Sequence, residues 1–424
     1  MQQYDSYKPS GVEWIGEVPF HWKKCRFKDF LQLITTPSFS ETKIGLENIE
    51  SSTGRFIPTE TTYEGNGVEF NCEDIVYGKL RPYLKKVWLA EFSGNAVGDF
   101  FIWRCQGNAK ASYVKYLLLS EDFTDVANGS TTGAKMPRVS SDFILTLGYF
   151  LPPLEEQERI AEYLDRRCAE IDGIINKEEQ AIALLDELKQ SIISEAVTRG
   201  LDPAVSLKPS GVDWIGNIPS HWQVSRLKNT ACLFGRIGYR GYTVADLVNQ
   251  GEGVITLSPS NMVNGSMDYT SCSYLSWKKY YESPEIMIKN GDILLVKTGS
   301  TYGKTSYVSD LPMEATINPQ IVVFKSIAGN SKFLFYLLST HFLQHQIKRG
   351  VGGSTIPTLS EGFILNCVHP LPPLEEQERI AEYLDRRCAE IDEAKERKQR
   401  QIELLREMKQ TMISDEVTGR VKVF

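Results

Sequence analysis

Two long stretches of the chain place apolar residues at the spacing of a helix. Each follows a proline pair, Pro152–Pro153 or Pro372–Pro373, and opens with glutamates that would complement a helix dipole. Neither stretch contains a further proline, and the first runs from about Leu154 to Thr198. The pattern therefore predicts two long helices, the first about 65 Å in length at ~1.5 Å per residue.

The apolar positions of these helices recur three or four residues apart, or at multiples of those steps, as in the seam of a coiled coil. An isolated helix of this length would leave its stripe in water, whereas two equivalent helices can cover it by packing together. An antiparallel pair is favoured, because a two-fold arrangement gives both copies the same environment. A simple spacer is the alternative interpretation. The predicted seam consists of Ile160, Leu164, Ile171, Leu185, Leu188, Ile192, Ile380, Leu384, Ile391, Leu405, Met408 and Met412.

The stretches that precede the helices have the pattern of mixed α and β structure. Strand-like runs include VEFNCEDIVYG from Val68 and GDILLVKTG from Gly291, and helical runs include YVKYLLLSEDF from Tyr113 and KFLFYLLSTHFLQHQI from Lys332. Both stretches close in the same order, with a strand, a short helix, a polar turn of Gly, Ser and Thr, and another apolar run. We expect two diverged versions of one α/β (α+β) globular domain.

The chain contains an internal repeat. LPPLEEQERIAEYLDRRCAEID occurs at 151–172 and again, letter for letter, at 371–392, and KPSGVEWIGEVPFHW near the start matches KPSGVDWIGNIPSHW in the middle. These matches indicate two tandem copies of a unit of about 200 residues, related by a pseudo-two-fold axis. The expected boundaries are 1–150 and 207–370 for the two globular domains, and 151–206 and 371–424 for two long helices that pair as an antiparallel coiled coil.

The net charge of −7 looks unfavourable for a nucleic-acid binder until it is divided by segment. The two helix segments together carry −9, and the two globular segments together carry +2. Only the local field of a DNA-facing surface matters for binding, so the acidic total does not exclude DNA. Eight single cysteines without a CxxC pair indicate reduced thiols, and no apolar run approaches the ~20 residues that span a bilayer. We therefore expect an intracellular, cytoplasmic protein.

Basic side chains alternate with tyrosines and hydroxyl residues in loops at corresponding places of the two copies. Such loops suit contact with DNA phosphates together with stacking on bases or sugars, although an isolated charged loop is more often simply solvated. Their recurrence in both copies makes them the candidate DNA-binding residues. They are Lys79, Arg81, Tyr83, Lys85, Ser130, Thr131, Thr132, Lys135 and Arg138 in the first copy, and Arg236, Tyr239, Arg240, Lys297, Ser300, Thr301, Tyr302, Lys304, Ser354 and Thr355 in the second.

Motifs of catalysis and cofactor binding are weak or absent in the sequence. GSTYGKT from Gly299 has three residues between its glycines, where a phosphate loop has four, and no helical pattern follows it, so a solvated hairpin is favoured over a nucleotide site. His341 and His345 have i, i+4 spacing without an acidic or Cys partner nearby, so no metal site is expected. His21 and His221 are interpreted as structural residues packed beside the following tryptophans. The chain is not expected to be an enzyme.

Three sequence features together resemble the specificity subunits of type I restriction–modification systems, over essentially the whole chain. They are the LPPLEEQERI segments that lead into long helices, the SGVEWIGEVPFHW-type segments, and the Gly-Ser-Thr turn that closes each variable domain. The resemblance implies two target recognition domains, each of which reads one half of an asymmetric bipartite site in double-stranded DNA. It also implies that the antiparallel helices set the spacing and dock two methyltransferase subunits, and that restriction/translocase subunits complete the complex.

The resemblance places S-adenosylmethionine, ATP and Mg in the partner subunits, so no cofactor is expected in this chain. The DNA contacts vary between members of the family, and the candidate residues above therefore rest on their chemistry alone. The rival interpretation is a coiled-coil adaptor whose globular domains bind protein, which would show no salt-dependent binding of DNA.

Overall fold

The computed structural model describes residues 3–38, 40–133, 135–352 and 357–423. The chain divides into two compact units, which we call unit 1 (Met1–Gln180 and Lys398–Phe424) and unit 2 (Ala181–Arg397). Each unit contains a globular region of strands and short helices, the start of one long helix and the end of the other. The predicted α+β class with two long helices is confirmed.

In unit 1, the globular region is built on two four-stranded sheets. One has the strand order β4-β11-β8-β9 and is antiparallel throughout, and the other has the order β5-β7-β10-β6, in which β10 and β6 run parallel. The strands are β1 Tyr7–Pro9, β2 Glu17–Pro19, β3 Lys23–Arg26, β4 Leu31–Ile34, β5 Pro37–Ser38, β6 Lys43–Ile44, β7 Gly67–Phe70, β8 Ile75–Gly78, β9 Val87–Leu89, β10 Gly94–Ala96, β11 Phe100–Cys105 and β12 Gly148–Leu151. The helices are α1 Ala111–Leu119, α2 Glu121–Gly129, α3 Ser141–Thr146 and the long α4 Leu154–Arg199, which continues into unit 2.

In unit 2, the same two kinds of sheet recur, with orders β16-β25-β22-β23 and β17-β21-β18-β24. The strands are β13 Leu207–Pro209, β14 Asn217–Pro219, β15 Gln223–Arg226, β16 Cys232–Gly235, β17 Leu247–Val248, β18 Gly253–Leu257, β19 Met262–Val263, β20 Ser266–Met267, β21 Ser273–Ser276, β22 Ile293–Val296, β23 Thr305–Tyr307, β24 Ala315–Ile317, β25 Ile321–Lys325, β26 Val351–Gly352, β27 Thr358–Leu359 and β28 Val368–Leu371. The helices are α5 Trp277–Tyr281, α6 Ser331–Ser339, α7 His341–Arg349, α8 Glu361–Asn366 and the long α9 Leu374–Thr418, which continues into unit 1.

The apolar runs of the central strands follow from burial on both faces of a sheet. In β22, Ile293 and Leu295 pack in one hydrophobic cluster, and Leu294 and Val296 pack in another on the opposite face. Side chains alternate between the two faces of a strand, so a strand covered on both sides needs apolar residues at every position. The loops that follow β8 and β22 are therefore anchored in well-packed sheets.

The two repeated motifs meet at the start of each long helix. In unit 1, the carboxylate of Glu156 accepts hydrogen bonds from the Trp22 indole N–H (3.1 Å) and the Tyr4 hydroxyl (2.7 Å), and it lies 2.7 Å from His21 Nε2. In unit 2, Glu376 takes the same place, with Trp222 at 2.9 Å and His221 at 2.6 Å. The histidines are therefore structural, as predicted, because they help to fasten the P-x-H-W segment to the helix.

Within each unit the two long helices run antiparallel and are joined by ion pairs. In unit 1, Lys409 Nζ lies 2.7 Å from Asp172, and Lys398 Nζ lies 2.7 Å from Glu178. In unit 2, the matching repeat positions pair the other way round, with Lys189 2.6 Å from Asp392. The residue number falls along one helix as it rises along the other, which is the signature of an antiparallel pair.

The residues predicted for the seam differ in burial along the helices. Those at the helix starts (Ile160, Leu164, Ile171, Ile380, Leu384 and Ile391) are buried, and Leu185, Ile192, Leu405 and Met412 are half-buried. Leu188 and Met408 are wrong, because 45% and 47% of their surface is exposed, and Ile193 and Ile413 are buried instead. A helix of 3.6 residues per turn drifts by ~20° per heptad away from a 3.5-residue repeat, which moves the buried stripe to neighbouring positions.

Candidate nucleic-acid interface

Each unit places a hairpin loop beside a turn that closes its globular region. In unit 1 these are residues 79–86, between β8 and β9, and residues 130–139, between α2 and α3, of which 134 lies outside the described residues. In unit 2 they are residues 297–304, between β22 and β23, and residues 350–359, after α7, of which 353–356 lie outside the described residues. We call these the first and the second loop pair.

Main-chain hydrogen bonds hold the first loop pair together. The amide of Lys79 donates to the carbonyl of Asp99 (2.9 Å), and the carbonyl of Lys79 accepts from the amide of Val139 (3.2 Å). The amide of Arg81 donates to the carbonyl of Pro137 (2.8 Å). Because these bonds involve only backbone atoms, they fix the loop without constraining which side chains it carries.

The second loop pair has the same main-chain frame. The amide of Lys297 donates to the carbonyl of Gln320 (2.7 Å), and the carbonyl of Lys297 accepts from the amide of Leu359 (2.8 Å). The amide of Gly299 donates to the carbonyl of Pro357 (3.1 Å). The two units therefore build one loop architecture from different sequences.

The side chains of the first loop pair form a basic, exposed surface. The guanidinium of Arg138 grips the Asp99 carboxylate with two hydrogen bonds (3.1 and 2.8 Å), and Lys79 Nζ lies 3.8 Å from the same carboxylate. The hydrogen bonds from Arg138 lower the pKa of Asp99, and the same bonds raise the pKa of Arg138. Arg81 and Lys135 are exposed, and Arg81 has a left-handed backbone with φ of 52°. Tyr83 and Thr132 are exposed as well.

The second loop pair presents fewer charges directly. Lys297 Nζ lies 2.7 Å from the Glu361 carboxylate, and Lys304 Nζ donates to the carbonyl of Pro259 (3.3 Å). Ser300 and Thr301 are exposed at the tip of the hairpin. Tyr302, by contrast, packs partly buried against the core of unit 2. The exposed part of this loop is therefore polar rather than aromatic.

Two predicted residues are wrong as surface contacts, because their charges are satisfied inside the protein. Lys85 is buried, and its ammonium donates to Gln410 Oε1 (2.7 Å) and to the carboxylate of Glu121, so it ties α2 to α9. Arg236 is buried too; its guanidinium donates to the carbonyl of Ile317 (3.1 Å) and to Thr316 Oγ1 (2.9 Å). Burial also lowers the pKa of Arg236.

Several other predicted residues have local structural partners. The Ser130 and Thr131 hydroxyls donate to backbone carbonyls of α2 (2.8 and 2.9 Å), and thereby close that helix. Arg240 lies 3.2 Å from Glu285. Ser354 and Thr355 lie outside the described residues, as does the side chain of Tyr239.

The GSTYGKT segment forms a hairpin, as the sequence indicated. Strand β22 ends before it and the antiparallel strand β23 begins at Thr305, whereas a phosphate loop would be followed by a helix. Among the residues that the structure describes, no group of three or more His, Cys, Asp or Glu side chains is arranged to hold a metal ion. In the same described ranges, no helix is long and apolar enough to cross a membrane.

Sequence reasoning missed four residues that lie directly beside the loop pairs. Asp99 and Gln320 each precede a central strand and bond to the lysine of their loop. Lys348 and Arg349 are exposed in the last turn of α7, directly before the closing turn of unit 2. The basic pair at a helix end beside a Gly-rich turn could have been recognised from the sequence. The role of Asp99 and Gln320 could not, because it depends on which strands are neighbours.

Comparison with known sequences relates the chain to one family. A model of the type I restriction modification DNA specificity domain matches residues 233–404. The chain is 25% identical to the type I restriction enzyme MjaVIII specificity subunit of Methanocaldococcus jannaschii, over 96% of this chain and 94% of that protein. It is 29% identical to the type I restriction enzyme EcoDI specificity subunit of Escherichia coli, over 43% of each.

Comparison with solved structures shows a shared fold. A chain from a study of complex assembly and conformational transition of the type I R-M system has a TM-score of 0.74 and 19% identity, and the match covers 95% of this chain and 99% of that one. The HsdS subunit of Thermoanaerobacter tengcongensis has a TM-score of 0.52 and 18% identity, with 95% and 98% covered. Both matches extend over nearly the whole length of the chain.

Proposed function

Because this chain belongs to the DNA specificity subunits of type I restriction–modification systems, we propose that each of its units reads one half of a bipartite DNA target. As a specificity subunit, it is a non-catalytic component of such a system. The two loop pairs share a main-chain frame but differ in sequence. The two half-sites would therefore differ, and the whole target would be asymmetric. The cytoplasmic location expected from the sequence is part of this proposal.

The observation that supports DNA reading most strongly is the basic charge that both loop pairs carry. Apart from Lys85 and Lys86, whose ammonium groups bond within the protein, four basic side chains and one carboxylate lie in or directly beside each loop pair, although the chain as a whole has a net charge of −7. Phosphate contacts by such side chains supply much of the affinity of a DNA-binding protein. At the first loop pair these groups are Lys79, Arg81, Lys135, Arg138 and the neighbouring Asp99, and at the second they are Lys297, Lys304 and the neighbouring Lys348, Arg349 and Glu361.

Binding to duplex DNA at a series of salt concentrations tests this proposal. The full chain should select a bipartite sequence from a pool of random duplexes, with an affinity that falls as salt rises. Replacing Lys79 and Lys297 by Gln should make the log–log salt slope shallower by about 2, at ~0.9 per lost phosphate contact. The matched control replaces Lys28 and Lys228, which are exposed and equivalent in the repeat, and it should leave the slope unchanged. Absence of any salt-dependent DNA binding would favour the coiled-coil adaptor instead.

Exposed apolar residues on the long helices suggest where partner subunits dock. Leu184 and Leu188 are 63% and 45% exposed in unit 2, and their repeat counterparts Leu404 and Met408 are 64% and 47% exposed in unit 1. Apolar side chains that recur in exposed positions of both copies indicate a surface that a partner protein covers in the complex. We propose that each unit docks one methyltransferase subunit here, and that restriction/translocase subunits complete the complex.

The docking proposal predicts a change in stoichiometry. Exchange of Leu184 and Leu188 for Glu should remove one of two methyltransferase copies in mass measurements of the purified complex, and the same exchange at Leu404 and Met408 should remove the other. Ser191→Glu, at an exposed position of the same helix, is the control and should retain both copies. Two bound copies in every variant would place the docking surface elsewhere.

The long helices are also proposed to set the distance between the half-sites. An insertion of four residues beside Glu178 should change the spacer in the recognised DNA and leave both half-sites as they were. Loss of both half-sites in a folded protein would argue against this role. S-adenosylmethionine, ATP and Mg would act in the partner subunits, with no cofactor in this chain.

A further inference from the structure

Three positions of the shared main-chain frame carry the side chains that could meet a base pair. The first position is the lysine that opens each hairpin loop. The second is the residue whose carbonyl accepts a hydrogen bond from the amide of that lysine. The third lies in the closing turn and forms a β-bridge to the hairpin loop. We call each set a reading triad. The first triad is Lys79, Asp99 and Arg138, and the second is Lys297, Gln320 and Thr358.

The triads agree at one position and differ at the other two. Both have a lysine at the first position, and an identical residue in two units that read different sequences suits a phosphate contact common to both. Asp99 and Arg138 are replaced by Gln320 and Thr358 in unit 2, although the surrounding main-chain hydrogen bonds are retained. Positions that discriminate between bases need such an arrangement, in which the backbone is the same in both units and the side chains differ.

In unit 1, the Arg138 guanidinium is held in an orientation suited to guanine. Its Nε and Nη2 atoms donate to the two carboxylate oxygens of Asp99, at 3.1 and 2.8 Å. A guanidinium has five N–H donors in a fixed fork, so this grip uses one edge and leaves Nη1 and the outer hydrogen of Nη2 as a second fork. Such a fork matches the O6 and N7 acceptors of guanine in the major groove.

In unit 2, the Gln320 side chain has the hydrogen-bonding groups that suit adenine. Gln320 is exposed, and its Oε1 accepts a hydrogen bond from the Asn318 side-chain amide (3.1 Å). An amide oxygen has two lone pairs, so this contact orients Gln320 and still leaves one acceptor and both Nε2 donors. A glutamine amide in this state matches the N6 donor and N7 acceptor of adenine.

We propose that the reading triads set one base of each half-site, a guanine through Arg138 and an adenine through Gln320. Asp99 and Asn318 are positioning residues, since they hold the reading side chain without contacting the base. This inference rests on the proposed function, because it assumes that the loop pairs face DNA.

The experiment determines the target of the full chain, co-expressed with its adenine methyltransferase subunit, by modified-base sequencing of the host genome. Arg138→Ala should relax one guanine of one half-site, with discrimination there falling by on the order of ten- to a hundredfold, and leave the other half-site unchanged. Gln320→Ala should do the same to one adenine of the other half-site. Arg55→Ala removes another Arg–Asp pair, 2.7 Å from Asp172 and outside the loop pairs, and it should leave the whole target as it is.

A positioning role for Asp99 has its own readout. Asp99→Asn keeps one hydrogen-bond acceptor for Arg138 and should retain guanine with weaker discrimination, whereas Asp99→Ala should lose most of it. If Arg138→Ala and Gln320→Ala both recognised the same target as the wild type, with every base position retained, the inference would be overturned and the proposed function would stay intact. Absence of any target for the wild-type complex would instead overturn the proposed function, and the inference with it.

Discussion

A buried glutamate in unit 1 should make the stability of the protein fall as pH rises. Glu416 lies near the end of α9, is 4% exposed, and its Oε2 atom has no hydrogen-bond partner among the described residues. Burial, with a smaller contribution from Asp415, raises its pKa from 4.5 to about 8. Ala196 occupies the matching repeat position in unit 2, so the acid is not needed by the shared architecture.

The sign and size of the effect follow from the shifted pKa. The folded state keeps the Glu416 proton between pH 4.5 and about 8, whereas the unfolded chain releases it, so stability declines across this window and levels off above it. A shift from 4.5 to about 8 corresponds to roughly 4–5 kcal/mol at ~1.36 kcal/mol per pKa unit. Arg167 and Lys422 also line the cavity of about 590 Å³ beside Glu416. Because that cavity is partly open to solvent, the expected effect on stability is reduced to about 2–4 kcal/mol.

Glu416→Gln removes the titration and keeps the shape of the side chain. Calorimetry of the full chain should show nearly equal stability of wild type and variant at about pH 4, below the titration of the unfolded chain, and a Tm for unit 1 that is higher in the variant by roughly 5–15 °C at pH 9. Glu195→Gln, at an exposed position of the other helix end, is the control and should not alter the pH profile. A difference between wild type and Glu416→Gln that is the same at every pH would refute this reasoning.

Three further predictions concern individual contacts. Glu156→Ala should lower the free energy of unfolding of unit 1 by about 2–4 kcal/mol, because it leaves the buried Trp22 N–H and the Tyr4 hydroxyl without their acceptor; chemical denaturation that finds no loss would show the contact to be dispensable. Arg81→Ala should weaken DNA binding by about 1–3 kcal/mol if Arg81 reads a base, or reduce the salt slope by about 1 if it meets phosphate, and an unchanged titration would remove it from the interface. Lys85→Met should alter thermal stability and leave the DNA target as it is, since Lys85 is an internal residue; a changed target would contradict its assignment.

The long helices show what local pattern can predict. The first was expected from about Leu154 to Thr198 and extends over Leu154–Arg199, because a proline pair, acidic first turn and unbroken periodicity all act within a few residues of the helix ends. The face that each helix buries was harder to predict. Leu188 and Met408 fit a heptad but are exposed, because a straight helix drifts away from the 3.5-residue repeat and its buried stripe moves to Ile193 and Ile413.

The loop residues show where sequence reasoning ends. Lys79 and Lys85 lie in one basic run, yet Lys79 belongs to the exposed loop pair and Lys85 is buried against Gln410, 325 residues away in sequence. Nothing local distinguishes the two lysines, because the distinction depends on tertiary neighbours. The same holds for Asp99, whose bond to Arg138 joins residues 39 positions apart. The sequence repeat was enough to identify the loops. Only the tertiary structure shows which of their side chains are exposed.

The two units are proposed to read different halves of one DNA target. The most direct test of this proposal is co-expression of the chain with its methyltransferase subunit in a host that lacks adenine methylation, followed by modified-base sequencing of the genome. We expect one bipartite, asymmetric motif, methylated on both strands. No new methylation, from a complex in which both proteins are folded and associated, would contradict the proposal.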